Sequence, residues 1–426
     1  MPINLSSIGP PKPYPTYAPR LRPWLIVWSI CCVFGAVVVL LIWPTGMPAQ
    51  GLWFWLCIVG GPHALFALML AFTRAVYETE YLHALYYNRH RESRRRVLIA
   101  RGQEPLLVLA YAYQFPLDGQ GLARTIIDGP PVLRTQPLQD GSTVVRHTRL
   151  LEDRSHSKKV DSVLARVLQH APVTPYAKLY AALLIPISAQ LRALASMGSS
   201  RLPTVQLVVS GGRKAAGQLQ QLRAVIAACG LPAFECKLAL DGDGLMLADA
   251  WLDSTTPRPL LIIAAQLHDL SPADSTEGGV AVLLAKSGVR LPPLIEPLAT
   301  LHRPVATAPD MLADGVVAAT GWGKTPSAAV QHTWTTGVKG DENILLSSAF
   351  RQVGMSGISK ADARHEPDLA IGHAGAVAPW LSVVAATESG ADGPQILLNR
   401  TQTIQEANLY AHKKPSHENR ANEPAE

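Results

Sequence analysis

Twenty consecutive residues from Trp24 to Trp43 carry no charge, and a second uncharged run follows from Leu52 to Thr73. A helix rises about 1.5 Å per residue, so either run spans the roughly 30 Å hydrocarbon layer of a bilayer. Only Pro44-Thr-Gly-Met-Pro-Ala-Gln-Gly51 separates them, which predicts a transmembrane hairpin. Trp24, Trp28, Trp43, Trp53 and Trp55 stand near the ends of the runs, where an indole keeps its N–H wet and its ring in lipid. The composition agrees: 16% of the 426 residues are charged, against roughly 25% in a soluble domain. Gly60, Gly61 and Pro62 weaken the second helix, and His63 inside it reads as a packing residue rather than a proton relay.

The net charge of +6 is local. Residues 1–100 hold nine Lys/Arg against three acids; subtracting these from the totals of 38 and 32 leaves 29 of each sign in residues 101–426. The excess sits at Lys12, Arg20 and Arg22 before the first run, and at Arg74, Arg89, Arg91, Arg94, Arg95 and Arg96 after the second. By the positive-inside rule both flanks are cytoplasmic and only residues 44–51 are outside. Arg89, Arg91, Arg94, Arg95 and Arg96 are the membrane-surface residues, drawn to anionic headgroups. No basic face remains for a nucleic acid. A polar, Pro-rich arm of about twenty residues precedes the first run, unlike a cleavable signal peptide. The expected organisation is an arm over 1–23, the hairpin over 24–73, a basic juxtamembrane helix over 74–101, a cytoplasmic α/β domain over 102–408 and a disordered tail over 409–426.

Leu106 to Tyr113 is a continuous apolar run, as in a strand buried on both faces. An edge hairpin or excursion around Thr143 to Thr148 follows, then helices over Asp161–Gln169 and Tyr176–Met197, the latter broken or kinked at Pro186. Strands are expected at Val205–Val209, Glu235–Leu240, Leu260–Gln266, Gly279–Ala285, Gly315–Thr320, Glu342–Ser347 and Gln395–Asn399. Helices are expected at Ala215–Cys229, Gly244–Leu252, Ser327–Thr335 and Ala376–Thr387. Such alternation implies a layered α/β sheet with helices on its faces.

Two motifs carry a family resemblance. Ser275-Thr-Glu-Gly-Gly-Val-Ala-Val-Leu-Leu-Ala285 resembles the acidic Gly-rich turn that opens a central strand in β-ketoacyl synthases of the thiolase-like fold. Ile371-Gly-His-Ala-Gly-Ala-Val-Ala378 resembles the turn that presents their catalytic His, and Ile396-Leu-Leu-Asn399 stands where their last core strand would. The resemblance covers roughly residues 205–400 and implies a thiolase-like domain. It also implies a nucleophilic Cys at the start of a buried helix, where the helix dipole activates a thiolate. That helix begins near Asp241-Gly-Asp-Gly244, without a Cys. The family's second His has no counterpart, since Gln331-His332-Thr333-Trp334 reads as helical, and Arg400-Thr-Gln-Thr403 replaces the final Gly-rich loop. The site residues of an enzyme reading are therefore His373, Cys236 and Asp241, and they do not form the family's complete set.

Other signals resolve to structure. Gly321-Trp-Gly-Lys-Thr325 resembles a phosphate loop but is two residues short and is followed by Pro326, so a strand-to-helix turn with Lys324 exposed is expected. Asp241 and Asp243 read as caps of the next helix. Ser210-Gly-Gly212 reads as a plain loop. Neither a His-x-x-His nor a Cys-x-x-Cys occurs, so neither a metal nor another cofactor is expected. Five Cys, three of them in the apolar runs, fit a reduced compartment.

The sequence thus leads to a two-pass bacterial inner-membrane protein with cytoplasmic termini, whose partners are the bilayer and other proteins of the membrane or cytoplasm. The favoured role is a non-catalytic adaptor or assembly factor, with a composition similar to that of membrane proteins encoded beside type VI secretion genes. The alternative is a membrane-bound acyl-transfer enzyme of the ketoacyl synthase type. Alkaline phosphatase fused after residue 100 is expected to be inactive while a fusion within residues 44–51 is active; the reverse pattern would overturn the orientation.

Overall fold

The computed structural model describes residues 3, 5–16, 21–117, 119–138, 141, 143–150, 164–167, 169–170, 174–210, 215–240, 242–338, 340–359, 363–401 and 403–412. They divide into two compact units, one over Ile3–Ile99 and a larger one from Ala100 onward.

In the smaller unit helix α1 covers Leu21–Ile42 and helix α2 begins at Leu52, continuing to Gly102. Both are long and apolar enough to cross a membrane. Leu25, Ile26, Val33, Phe34, Leu65, Leu68 and Phe72 are exposed on them. One π turn, Leu56–Gly60, interrupts α2 just before Gly61 and Pro62, where proline cannot donate to the preceding turn. Gly35 makes room for that proline, since a Cβ on it would lie 2.5 Å from Pro62 Cγ. Aromatic pairs join the helices, Trp24 with Phe66 at 5.9 Å, Trp28 with His63 at 5.7 Å and Trp43 with Phe54 at 5.1 Å between centroids. His63 Nδ1 also lies 2.8 Å from the Val59 carbonyl, a packing role. Residues 9–14 lie along α2: Arg91 Nε donates to Gly9 O at 2.7 Å, and the Tyr14 and Tyr81 rings are 5.4 Å apart.

The larger unit is built from two similar halves. The first contributes β1 (Leu106–Gln114), β4 (Thr204–Val209), β5 (Glu235–Ala239), β6 (Leu260–Gln266) and β8 (Gly278–Lys286). The second contributes β9 (Ala299–Leu301), β10 (Val305–Thr307), β11 (His332–Thr336), β12 (Arg364–His365), β13 (Pro394–Arg400) and β14 (Ile404–Ala411). Among the described residues these strands form one sheet, ordered β12-β11-β13-β14-β9-β1-β8-β6-β4-β5 with β10 beside β14. Outward from the seam, β1 and β8, then β8 and β6, are antiparallel, whereas β6, β4 and β5 are parallel. The series β9, β14, β13, β11, β12 repeats that pattern. A small second sheet pairs β2 (Arg134–Pro137) with β3 (Val144–Thr148) and β3 with β7 (Ser275–Thr276).

Helices follow the same repeat. In the first half α3 (Leu122–Ile127) follows β1, α4 (Pro175–Ala195) precedes β4, α5 (Ala215–Ala228) links β4 to β5, and α6 (Met246–Asp253) links β5 to β6. In the second, α7 (Leu312–Trp322) precedes β11, α8 (Gly340–Gln352) links β11 to β12, and α10 (Ala378–Ser389) links β12 to β13 after the single turn α9 (Pro367–Ala370). Strand alternation separates the cores. Val208, Leu260 and Ile262 share one with α6 and α10, whereas Val205, Leu207 and Leu261 share another with α4 and α5. The third packs α7 and α8 on Ile396 and Leu398 of β13.

Five expectations need correction. Gly315–Thr320 belongs to a helix, not a strand: buried Leu312, Val316 and Ala319 recur at helical spacing. The expected helix over Ser327–Thr335 is one short 3-10 turn and then β11, whose Trp334 is fully buried. Glu342–Ser347 is helical, with Leu346, Ala349 and Phe350 on its inner side. Helix α4 is assigned without interruption through Pro186. Finally β14 extends to Ala411, into the stretch expected to be disordered, while residues 413–426 lie outside the described ones. Of the expected helix over Asp161–Gln169, residues 164–167 are helical, while 161–163 and 168 lie outside the described ones.

Glu406 on β14 is fully buried, accepts a bond from Thr307 Oγ1 at 2.8 Å through Oε1, and has no partner on Oε2 among the described residues. Burial raises its pKa to about 8, against the opposing bond from Thr307. An acid whose folded pKa is raised stabilises the fold below its unfolded value and loses that contribution as pH climbs toward 8. Glu406→Gln is therefore expected to raise stability by more than about 1 kcal/mol at pH 8, with the gain shrinking at pH 5. Denaturant unfolding of the two proteins at both values checks this.

Candidate functional site

The two equivalent turns that precede α6 and α10, at the C-terminal ends of parallel strands, are where an α/β sheet presents chemistry. The turn before α10 carries His373. Its backbone is clamped: the His373 N–H donates to Asp274 O at 2.7 Å, and the Thr276 N–H donates to His373 O at 3.1 Å. Gly372 has φ +99°, and a Cβ there would lie 2.9 Å from Leu133 Cδ2 and the Ser275 carbonyl carbon. Only glycine suits that position, so the Gly-His pair is required by the approach of these segments. The imidazole is half exposed, its Nδ1 3.5 Å from Asp368 Oδ2. Asp368, from α9, in turn accepts the Gly337 N–H at 2.6 Å, at the end of β11.

Around this turn the structure gathers groups that sequence reasoning did not join to it. His268 follows β6, and burial lowers its pKa; the Glu277 carboxylate opposes that shift, while His147 and His373 add to it. Glu277 is buried and accepts the Leu150 N–H at 3.1 Å and the His268 N–H at 3.2 Å. His147 is fully buried, and among the described residues its Nε2 has no partner, nor has Gln266 Oε1 nearby at the end of β6. Glu277 alone was signalled in the sequence, by its Gly-rich motif. His147 arrives through the pairing of β3 with β7 and His268 from the end of β6, each more than a hundred residues from His373 in sequence, whereas Asp368 stands only five residues before it, on α9. Among the described residues no three His, Cys, Asp or Glu are grouped so as to hold a metal ion.

The turn before α6, where the resemblance places a nucleophile, is closed. Gln405 of β14 reaches into it: the Leu245 N–H donates to Gln405 Oε1 at 2.8 Å, and Gln405 Nε2 donates to the carbonyls of Gly242 at 3.3 Å and Asp243 at 3.2 Å. Gly244 has φ +47°, and a Cβ on it would lie 2.3 Å from Gln405 Oε1. Asp243 does not cap α6 with its side chain, contrary to expectation; α6 has no side-chain cap from its N-cap residue, and the Asp243 carbonyl accepts the Met246 N–H. Asp241 lies outside the described residues.

Cys236 is not brought to His373. It is buried in the core beneath α4 and α5, whereas Ala374, Ala376 and Val377 beside His373 belong to the core on the other face. Its thiol points to the Phe234 carbonyl, and burial raises its pKa, against Arg223. Cys236 does border a cleft of about 380 Å³ with Ile226, Leu231 and Phe234. Burial likewise pushes the Cys229 thiol up to about 11, against Arg192, the opposite of activation. Gly321–Thr325 is a helix-to-strand turn rather than a strand-to-helix one, with Lys324 exposed as expected. Of the arginines expected at a membrane surface, Arg89 and Arg94 are exposed, and Arg95 and Arg96 lie 3.8 and 3.5 Å from Glu92.

No family model and no curated protein matches the chain. Solved structures do. The oxazolomycin ketosynthase domain OzmH KS7 of Streptomyces albus JA3453 shares 10% identity over 76% of this chain and 76% of its own, at a TM-score of 0.53. The AntDE:AntF complex of a type II polyketide synthase acyl-carrier protein with its ketosynthase matches at 10% identity, over 72% of this chain and 99% of that one, with a TM-score of 0.52. The OzmH KS8 domain matches at 12%, over 72% and 96%, with a TM-score of 0.50. At such identities the likeness is one of fold: the larger unit has the thiolase-like fold of the ketosynthases.

Replacing Gln405 by Ala strands the Leu245 N–H and removes two further bonds from the α6 turn. It is expected to cost about 1–3 kcal/mol of stability, read as a lowered denaturation midpoint; an unchanged midpoint would show that the turn stands without it.

Proposed function

We propose that the chain is a membrane-tethered protein whose ketosynthase-like unit binds partners without transferring acyl groups. One observation carries this reading: the α6 turn holds a glutamine side chain where a nucleophile would stand, and the nearest thiols are buried in another core with raised pKa values. The tether is supported by the two exposed apolar helices. Contact of residues 9–14 with α2 beyond its apolar stretch supports an even number of crossings, since both segments must then lie on one side. The partner belongs to an envelope or secretion assembly, type VI among the candidates, at the cytoplasmic face of a bacterial inner membrane.

The second reading, a membrane-bound acyl-transfer enzyme, has the fold in its favour at least as much as the first. It is also favoured by the half-exposed His373 beside Asp368 and His268, an arrangement able to hold and move a proton at a carbonyl. Incubating the detergent-solubilised full chain with acyl thioesters and measuring its intact mass separates the two. No adduct is expected, and His373→Ala is expected to leave the phenotype unchanged at normal abundance. A stoichiometric acyl adduct that disappears on replacing Cys236 would establish the enzyme instead. Affinity capture from solubilised membranes is expected to recover envelope or secretion components.

A further inference from the structure

Residues 9–16 read Gly-Pro-Pro-Lys-Pro-Tyr-Pro-Thr and form no regular secondary structure, yet they are held on α2. Prolines at 10, 11, 13 and 15 have no N–H, so Lys12 offers the one backbone donor between Pro11 and Pro13. Asn88 takes it: the Lys12 N–H donates to Asn88 Oδ1 at 2.8 Å, and Asn88 Nδ2 donates to the Lys12 carbonyl at 2.9 Å. The Lys12 ammonium lies 4.9 Å over the Tyr87 ring and 3.3 Å from His83 Nε2. Arg91 and Tyr81 hold the two ends at Gly9 and Tyr14. A side-chain amide that reads a peptide unit, flanked by aromatic rings, is how proline-rich segments are recognised, because such segments lose little entropy on docking and expose their carbonyls. The cation over Tyr87 adds selectivity for a basic residue.

We propose that this face of α2, centred on Asn88 and Tyr87, is a receptor for a proline-rich segment bearing one lysine. The arm is its resident ligand, and a partner protein engages the face by presenting a segment of the same chemistry in the arm's place. The probe is a fluorescent peptide of residues 5–16, titrated against the chain lacking residues 1–16 in phosphatidylcholine nanodiscs. Saturable binding is expected, weakened at least tenfold by Asn88→Ala in that chain and equally by replacing the peptide's prolines and lysine with alanine. The intact chain is expected to bind the probe at least tenfold more weakly, because its own arm fills the face. Failure of the arm-less chain to bind saturably, or equal affinity with and without Asn88, would overturn the proposal. The altered peptide keeps the test decisive if a protein variant misfolds.

Discussion

Strand β1 is the element through which the larger unit becomes one body. It pairs with β8 from Leu106 to Gln114 and with β9 across Leu106, Leu107 and Val108, so the two repeated halves meet along its first three residues. Short pairing of that kind needs reinforcement, and both ends of α6 supply it. At its start the amide of Gln405, from the second half, fills the turn. At its end Arg303, between β9 and β10 and only 1% exposed on its side chain, bonds Asp249 at 2.5 Å and Asp253 at 3.0 Å. Burial raises the pKa of Asp249 and Arg303 pulls it back. A pair so placed specifies the docking of the halves more than it adds stability, since desolvation offsets most of its Coulomb attraction, whereas loss of one partner would leave a buried charge.

Because the halves repeat, the two turns before α6 and α10 are the same structural position used twice. One presents a half-exposed histidine held open by Gly372; the other is sealed from the opposite half. That asymmetry lies within a fold that the solved ketosynthases share. A fold hosts many functions, and the site has to carry the function.

Much of the first half was legible because its strands are short apolar runs between turn residues; Leu260–Gln266 is buried at every position. In the second half, Val316, Val317 and Thr320 of α7 imitate a strand over six residues, and only the longer spacing of Leu312, Val316 and Ala319 reveals a helix. Strand β14 escaped notice because Gln405, Glu406 and Asn408 read as surface residues. They are buried against Gly242–Leu245, Thr307 and Thr325, each bond spanning more than eighty residues, and no local pattern records such partners. The Gly-His turn was legible through its motif, but its neighbour His268 was not, since its proximity to His373 depends on the packing of separate strands; Asp368, five residues before His373, is brought to it by the single turn α9.

The sealed turn also limits what a side chain at position 244 could do. A helix N-terminus activates a thiolate through free N–H groups and its dipole. Here the Leu245 N–H is taken by Gln405, and those of Met246 and Ala248 by the Asp243 and Leu245 carbonyls. A cysteine at Gly244 would have to adopt φ +47° with its Cβ 2.3 Å from Gln405 Oε1. That position is closed twice over, once by backbone conformation and once by the opposing side chain. Truncating Gln405 would relieve only the second obstacle, and it would do so by loosening the tie between the halves. The contact that leaves no room for a side chain at Gly244 is thus one of those that hold the two halves together.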